Sequence, residues 1–164
     1  MVRRFAAHYI FPLSVSSVAK GMVETDGEGT ILRLHPQGSE LEEMAGMVFF
    51  NGIICPAFPS RIADLPDEAL FDAFPFLQKF RKEMPSGRIG SLQFFGWIRA
   101  LQLSGDPTGL EELLCLFILE TARALKQTDA GSLEPGKRPG LMLIDRIDYR
   151  HLRLSDQSRF KRLI

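Results

Sequence analysis

His8, His35 and His151 are the three histidines of the chain, and imidazole is both the commonest metal ligand and the usual base near neutral pH. A zinc site takes three or four donors of this kind, so these three would suffice if both ends of the chain met. Scattered over three distant segments, they read as ordinary solvated or hydrogen-bonded histidines. Asp145 and Asp148 flank Arg146-Ile147, a spacing open to paired acid/base work. Next to a strand end, the expectation is solvated, turn-forming carboxylates. Cys55 and Cys115 are the two cysteines. A nucleophilic thiolate needs a base or cation beside it, and the sequence puts none near either. Both read as reduced, buried thiols of a cytoplasmic protein. No Gly-x-Ser-x-Gly elbow occurs. Gly136-Lys137 lacks the upstream spacing and the following hydroxyl of a phosphate loop. These residues specify no catalytic site and no cofactor.

The elements that would position such residues change character near Pro66. Arg4–Phe11 alternates loosely and stops at Pro12, as a first strand would. Gly21–Thr25 and Thr30–His35 flank Asp26-Gly-Glu-Gly, a turn signature that pairs them as a hairpin. A turn at Pro36-Gln-Gly-Ser and a helical turn over Glu40–Ala45 follow. Met47–Phe50 and Ile53–Cys55, divided by Asn51-Gly52, read as two short strands or one bent one. Strands this short should fold over one another as a small sandwich or barrel.

From Pro66 the apolar period becomes helical. Leu70, Phe74 and Leu77 fall at i, i+4 and i+7, with Phe71 and Phe80 widening the stripe. Pro75 interrupts them, which predicts a kink or two short helices. Met84-Pro-Ser-Gly87 is a break, and Ile89–Leu103 a second helix with Leu92, Phe95, Ile98 and Leu101 along one side. Thr108 and Glu111 match a capping box, starting a third helix near Gly109. Its run Leu113–Leu119 is apolar without a gap, hence buried on every side and far too short to span a bilayer. Leu141–Asp145 is a strand; Ile147–Tyr149, His151–Leu154 and Phe160–Leu163 are candidate final strands.

The 20 basic and 20 acidic residues cancel, which disfavours nucleic acid as the main partner. The basic start has no apolar stretch after it of the length a signal peptide needs. A membrane role is likewise not expected.

The order of several segments carries a resemblance. Arg3–Pro12, Glu24-Thr25-Asp26-Gly27, Asn51-Gly-Ile-Ile-Cys-Pro-Ala-Phe58, Leu110–Leu125 ending in Ala122-Arg-Ala-Leu, and Ser158–Ile164 all look like one branch of the amidohydrolase superfamily. Gly131-Ser-Leu-Glu-Pro-Gly-Lys-Arg-Pro-Gly-Leu-Met-Leu-Ile-Asp145 is the most specific of them. The resemblance implies an α+β fold: a small β-sandwich built from both termini, the composite domain of that superfamily, with about three helices packed on it. Residues 1–58 plus 131–164 would form the discontinuous β unit and 59–130 a helical insertion. That insertion is far shorter than the eight-fold catalytic barrel of about 250 residues. Ile62 and Asp64 fall where the family has its first metal-binding His-x-His, and Ala57 replaces a family glycine. Ile62 has no lone pair to offer, and the later ligands and the final catalytic Asp have no counterpart.

The implied protein is a truncated, metal-free and catalytically inactive member without cofactor, with a structural or protein-interaction role. The alternative is small-molecule binding, or residual hydrolysis of C–N bonds, in a pocket re-formed between helices and sheet. Phe94, Phe95, Trp97, Ile98, Leu116 and Phe117 are read either as core or as an apolar face uncovered by loss of the barrel. On the second reading they form an interface for a homodimer or for an intact amidohydrolase relative.

Overall fold

The computed structural model of the chain describes residues 1–36, 45–64, 67–83 and 89–164. The turn expected over 36–39, the helical turn over 40–45 and the break at 84–87 fall wholly or mainly outside them. Seven strands are described: β1 (Arg3–Ile10), β2 (Val18–Ala19), β3 (Met22–Thr25), β4 (Ile31–His35), β5 (Met47–Pro56), β6 (Leu141–Asp145) and β7 (Arg159–Arg162). They join in one sheet of order β4-β3-β1-β5-β6-β7, with β2 pairing β1 beside β3. The fold is mixed α/β, and the sheet is not closed.

The expected hairpin is present. Asp26 Oδ1 accepts from the backbone N–H groups of Glu28 and Thr30, each at 2.8 Å, which fixes the turn joining β3 to β4. Met47–Pro56 is one continuous strand rather than two. It lies parallel to β1 and antiparallel to β6, with an irregularity in the β1 register between Ala7 and Tyr9. At that irregularity Gly52 has φ +153°, and a Cβ on it would stand 2.3 Å from the Ile144 carbonyl oxygen. The glycine is there because β6 passes too close for a side chain.

Alternation along β5 gives the sheet two apolar faces. Ile53 and Cys55 join Phe11, Met142 and Ile144 under the helices. Ile54 faces the other way, with Phe5, Ala7, Val23, Ile31, Leu141 and Leu143. Leu133, from the connection into β6, is buried in that second cluster. Two backbone hydrogen bonds, Ile31 N–H to the Lys137 carbonyl and Gly136 N–H to the Ile31 carbonyl, each 2.8 Å, hold this connection along the β4 edge. The strands therefore do not divide into the two hydrogen-bonded layers expected from their shortness: one sheet serves, its second face partly covered by a loop.

The described segments between β5 and β6 are helical or irregular. A 3₁₀ turn (Ser60–Asp64) precedes α1 (Asp67–Ala73), which ends before Pro75 as expected. Pro75–Glu83 is 3₁₀ rather than α. Its buried residues Leu77 and Phe80, with Phe74 just before it, recur every third position, which matches three residues per turn. In α2 (Ser91–Leu103), Phe94, Phe95, Trp97 and Ile98 turn inward, while Leu92 stands 74% exposed. Its inclusion in the buried stripe is thus corrected: Phe94 and Trp97 set the inward direction.

The last helix runs through α3 (Leu110–Leu114), a π-helical segment (Cys115–Glu120) and α4 (Thr121–Ala124). Its N-cap is Gly109 with no side-chain cap. Thr108 does not cap it; its N–H donates to Asp106 Oδ1 at 2.9 Å. Ile147–Tyr149 and His151–Leu154 are not strands; a single bridge, Asp148 to Arg153, closes a turn between them.

Candidate functional site

Ile62 and Asp64, the two positions where the resemblance would expect a metal-binding pair, lie on the 3₁₀ turn after β5. Ile62 is 2% exposed and belongs to the cluster under the helices. Asp64 is exposed, its Oδ2 3.2 Å from Arg61 Nε. One position is apolar core and the other a solvated surface pair, so this turn presents no joint ligand set.

The histidines lie in three separate settings. His35, on β4, has Nε2 3.3 Å from Glu24 Oε2, without hydrogen-bond geometry. Arg4 Nε donates to Glu24 Oε1 at 2.8 Å. That hydrogen bond, with help from His35, holds the Glu24 carboxyl below its usual range. His151 Nδ1 lies 2.7 Å from Asp148 Oδ2 on an exposed turn, and this contact lowers the Asp148 carboxyl. His8 sits between two rings, Phe49 at 5.2 Å and Tyr149 at 4.9 Å between centroids. Among the described residues no group of three or more His, Cys, Asp or Glu side chains gathers as a metal site would require.

Asp145 and Asp148 serve different structures. Asp148 accepts from the Arg150 N–H at 2.9 Å and shapes the turn. Asp145 ends β6, and its Oδ1 is buried without a hydrogen-bond partner among the described residues, as is His8 Nδ1. Tyr149 lies beside both: it packs on His8, while burial and then the Asp145 charge push its phenol upward. An imidazole, a phenol and a carboxyl group thus stand near one another, where the turn after β6 lies against β1. Sequence reasoning missed Tyr149, because only the turn after β6 brings it over β1.

Neither cysteine is poised as a nucleophile. Cys55 is wholly enclosed, and burial alone drives its thiol far upward. Cys115 donates to the Leu13 carbonyl at 3.3 Å, and burial, then the Glu120 charge, raises it as well. A thiol held protonated attacks poorly.

Of the six apolar residues read as core or interface, Phe94, Phe95, Trp97, Ile98 and Phe117 are buried within the chain and Leu116 is half-buried. Phe94 meets Phe58, Trp97 and Phe117 at 6.0, 5.7 and 5.1 Å between centroids. Trp97 stacks on Phe80 at 5.2 Å, and Phe95 meets Phe160 of β7 at 4.8 Å. Edge-to-face and offset contacts at these separations are favourable beyond simple burial. The interface reading of the five buried side chains is therefore corrected: their own chain covers them.

The Gly131–Gly140 stretch closes on itself. Ser132 Oγ donates to Glu134 Oε2 at 2.7 Å, Lys137 Nζ donates to Ser132 Oγ at 2.9 Å, and Lys137 also pairs with Glu134. Arg138 Nε donates to Thr30 Oγ1 at 2.9 Å, and the same guanidinium pairs with Glu28. The chain was compared with models of known protein families and with curated proteins; neither comparison finds a match.

Proposed function

We propose that this chain is a metal-free, non-hydrolytic protein of amidohydrolase type that acts in the cytoplasm by association rather than turnover. On this reading residues 1–58 and 131–164 correspond to the composite β domain of that superfamily, and 59–130 stand where its barrel would be. The observation that carries the proposal is the filling of the space between helices and sheet. Phe58, Phe94, Phe117, Trp97 and Ile62 are each no more than 6% exposed there, where a reaction chamber would need water, ligands and room for substrate. No described helix is long and apolar enough to cross a membrane.

Self-association is supported by the outward side of α2. Leu92 and Leu103 are 74% and 55% exposed and lie eleven residues apart, three full turns, on one helical face. In sedimentation velocity the wild-type chain is expected to dimerise and the Leu92→Glu/Leu103→Glu variant to sediment as a monomer. Identical sedimentation of the two would remove this part of the proposal.

The hydrolytic question has its own test. Purified chain is incubated with zinc, freed of excess, and assayed for bound metal and for hydrolysis of N-acyl amino acids and cyclic amides. The expected result is zinc well below one per chain and no turnover. One zinc per chain with turnover of a C–N bond would contradict the proposal.

A further inference from the structure

A recess of about 470 Å³ opens where the last helix ends and the Gly131–Gly140 stretch begins. That volume lies within the range of small-molecule sites. The recess is built by an abrupt helix stop. Lys126 takes a left-handed conformation at φ +56°, and the Gln127 N–H turns back to the Ala122 carbonyl at 2.9 Å. The chain then packs so tightly that a Cβ on Gly131 would stand 2.8 Å from that of Ala122. The π-helical segment just upstream offsets Leu119 and Ala122 from the regular helical stripe and brings them to the recess floor.

Its chemistry is mixed in an informative way. Arg123, Lys126 and Lys137 line it against one lining carboxylate, Glu134. Lys137 and Ser132 engage Glu134, and their hydrogen bonds hold its carboxyl below the usual range. Arg123 is shared with Glu120 at 2.6 Å. Lys126 makes no ion pair among the described residues. Gln127, which lines the recess, has its Oε1 buried without a hydrogen-bond partner among the described residues, and an orphaned buried acceptor is costly unless something donates to it.

We propose that this recess binds a small amphipathic organic carboxylate carrying a hydroxyl or N–H donor. The carboxylate pairs with Lys126 and Arg123, a rotation of the Gln127 side chain brings its buried Oε1 to the donor, and the apolar part lies on Leu119 and Ala122. Phosphate fits less well, because it has no apolar part to lie on Leu119 and Ala122. The inference is independent of the hydrolytic question, because the hydroxy acid titrated below contains no C–N bond.

The test is an amide NMR titration of the full chain with 2-hydroxy-4-methylpentanoate. Comparison probes are 4-methylpentanoate, the neutral 2-hydroxy-4-methylpentanamide and inorganic phosphate. The expected result is saturable shifts confined to residues 119–137, with weaker binding of both analogues. Lys126→Ala should bind the hydroxy acid about tenfold more weakly, as loss of one charged contact implies. Gln127→Leu should abolish the preference for the hydroxy acid over 4-methylpentanoate. Absence of saturation at tens of millimolar, equal binding of the neutral amide, tighter binding of phosphate, or unchanged affinity in Lys126→Ala would each overturn the proposal.

Discussion

Glu24 is the residue whose ionisation is tied most visibly to the fold. It stands on β3, its side chain 13% exposed, between Arg4 of β1 and His35 of β4, and so joins three neighbouring strands. Its carboxyl ionises below the ordinary 4.5, with the Arg4 hydrogen bond the largest cause and burial opposing it. A carboxyl lowered in the folded state contributes stability that is fully present above its unfolded value and disappears as pH falls through the folded one. Replacing Glu24 with Gln should cost about 1–2 kcal/mol at neutral pH, the scale of a hydrogen bond to a charged group. Urea unfolding of wild type and variant should then converge as pH falls below the ordinary carboxyl value and through the lowered one of the folded chain. A gap that stays constant with pH would show that the charge is not what matters. Asp26 illustrates what the sequence does reveal at this scale, since an Asp followed by alternating glycines announces the turn its carboxylate makes. Tyr149 illustrates what it does not. A tyrosine four residues past one carboxylate and one past another has no neighbour until the chain turns it back over β1.

Secondary-structure elements were legible wherever the deciding interaction is local. Pro75 cannot donate a backbone hydrogen bond, and the helix stops before it. The spacing of Phe74, Leu77 and Phe80 is compatible with either helix type; the 3₁₀ form uses the three-residue repeat where an α-helix would have needed a mixture of threes and fours. Leu113–Leu119 has no polar residue to mark a period, so its π-helical segment left no trace in the pattern. The Thr108 box misled because Asp106 competes for the Thr108 N–H and Gln102 Nε2 donates to the Thr108 carbonyl at 2.9 Å.

Two glycines separate backbone requirement from mere tolerance. Gly52→Ala, at φ +153° with the Ile144 carbonyl in the way, should lose about 3 kcal/mol through strain and displaced strand pairing. Gly96→Ala lies mid-helix in α2 with nothing within 4 Å of the new methyl and should gain about 0.5–1 kcal/mol. Thermal or urea unfolding reads both changes, and equal effects at the two sites would show that β5 and β6 are not in close contact at Gly52.

At the scale of the whole molecule, strands from both ends of the chain share one sheet: β5 meets β6 and β6 meets β7. The termini approach the same turn, with Met1 near Gly27 and Ile164 near Gly29. Nothing in residue spacing discloses the parallel pairing of β1 with β5, because long-range strand order depends on which apolar faces must be buried together. The count of 13 phenylalanines announced a large apolar mass. Whether that mass is interior or interface is decided only when α2, the last helix and β7 close around it. The account rests on that closure, and the chain carries its own reporter. Trp97 is the single tryptophan, 5% exposed and stacked on Phe80. Its fluorescence under acrylamide titration is the most direct measurement. Blue-shifted emission with weak quenching, rising to full quenching only when the chain unfolds, is the predicted result. Red-shifted, readily quenched emission from the folded chain would mean that water occupies the space assigned to aromatic rings, contradicting the account.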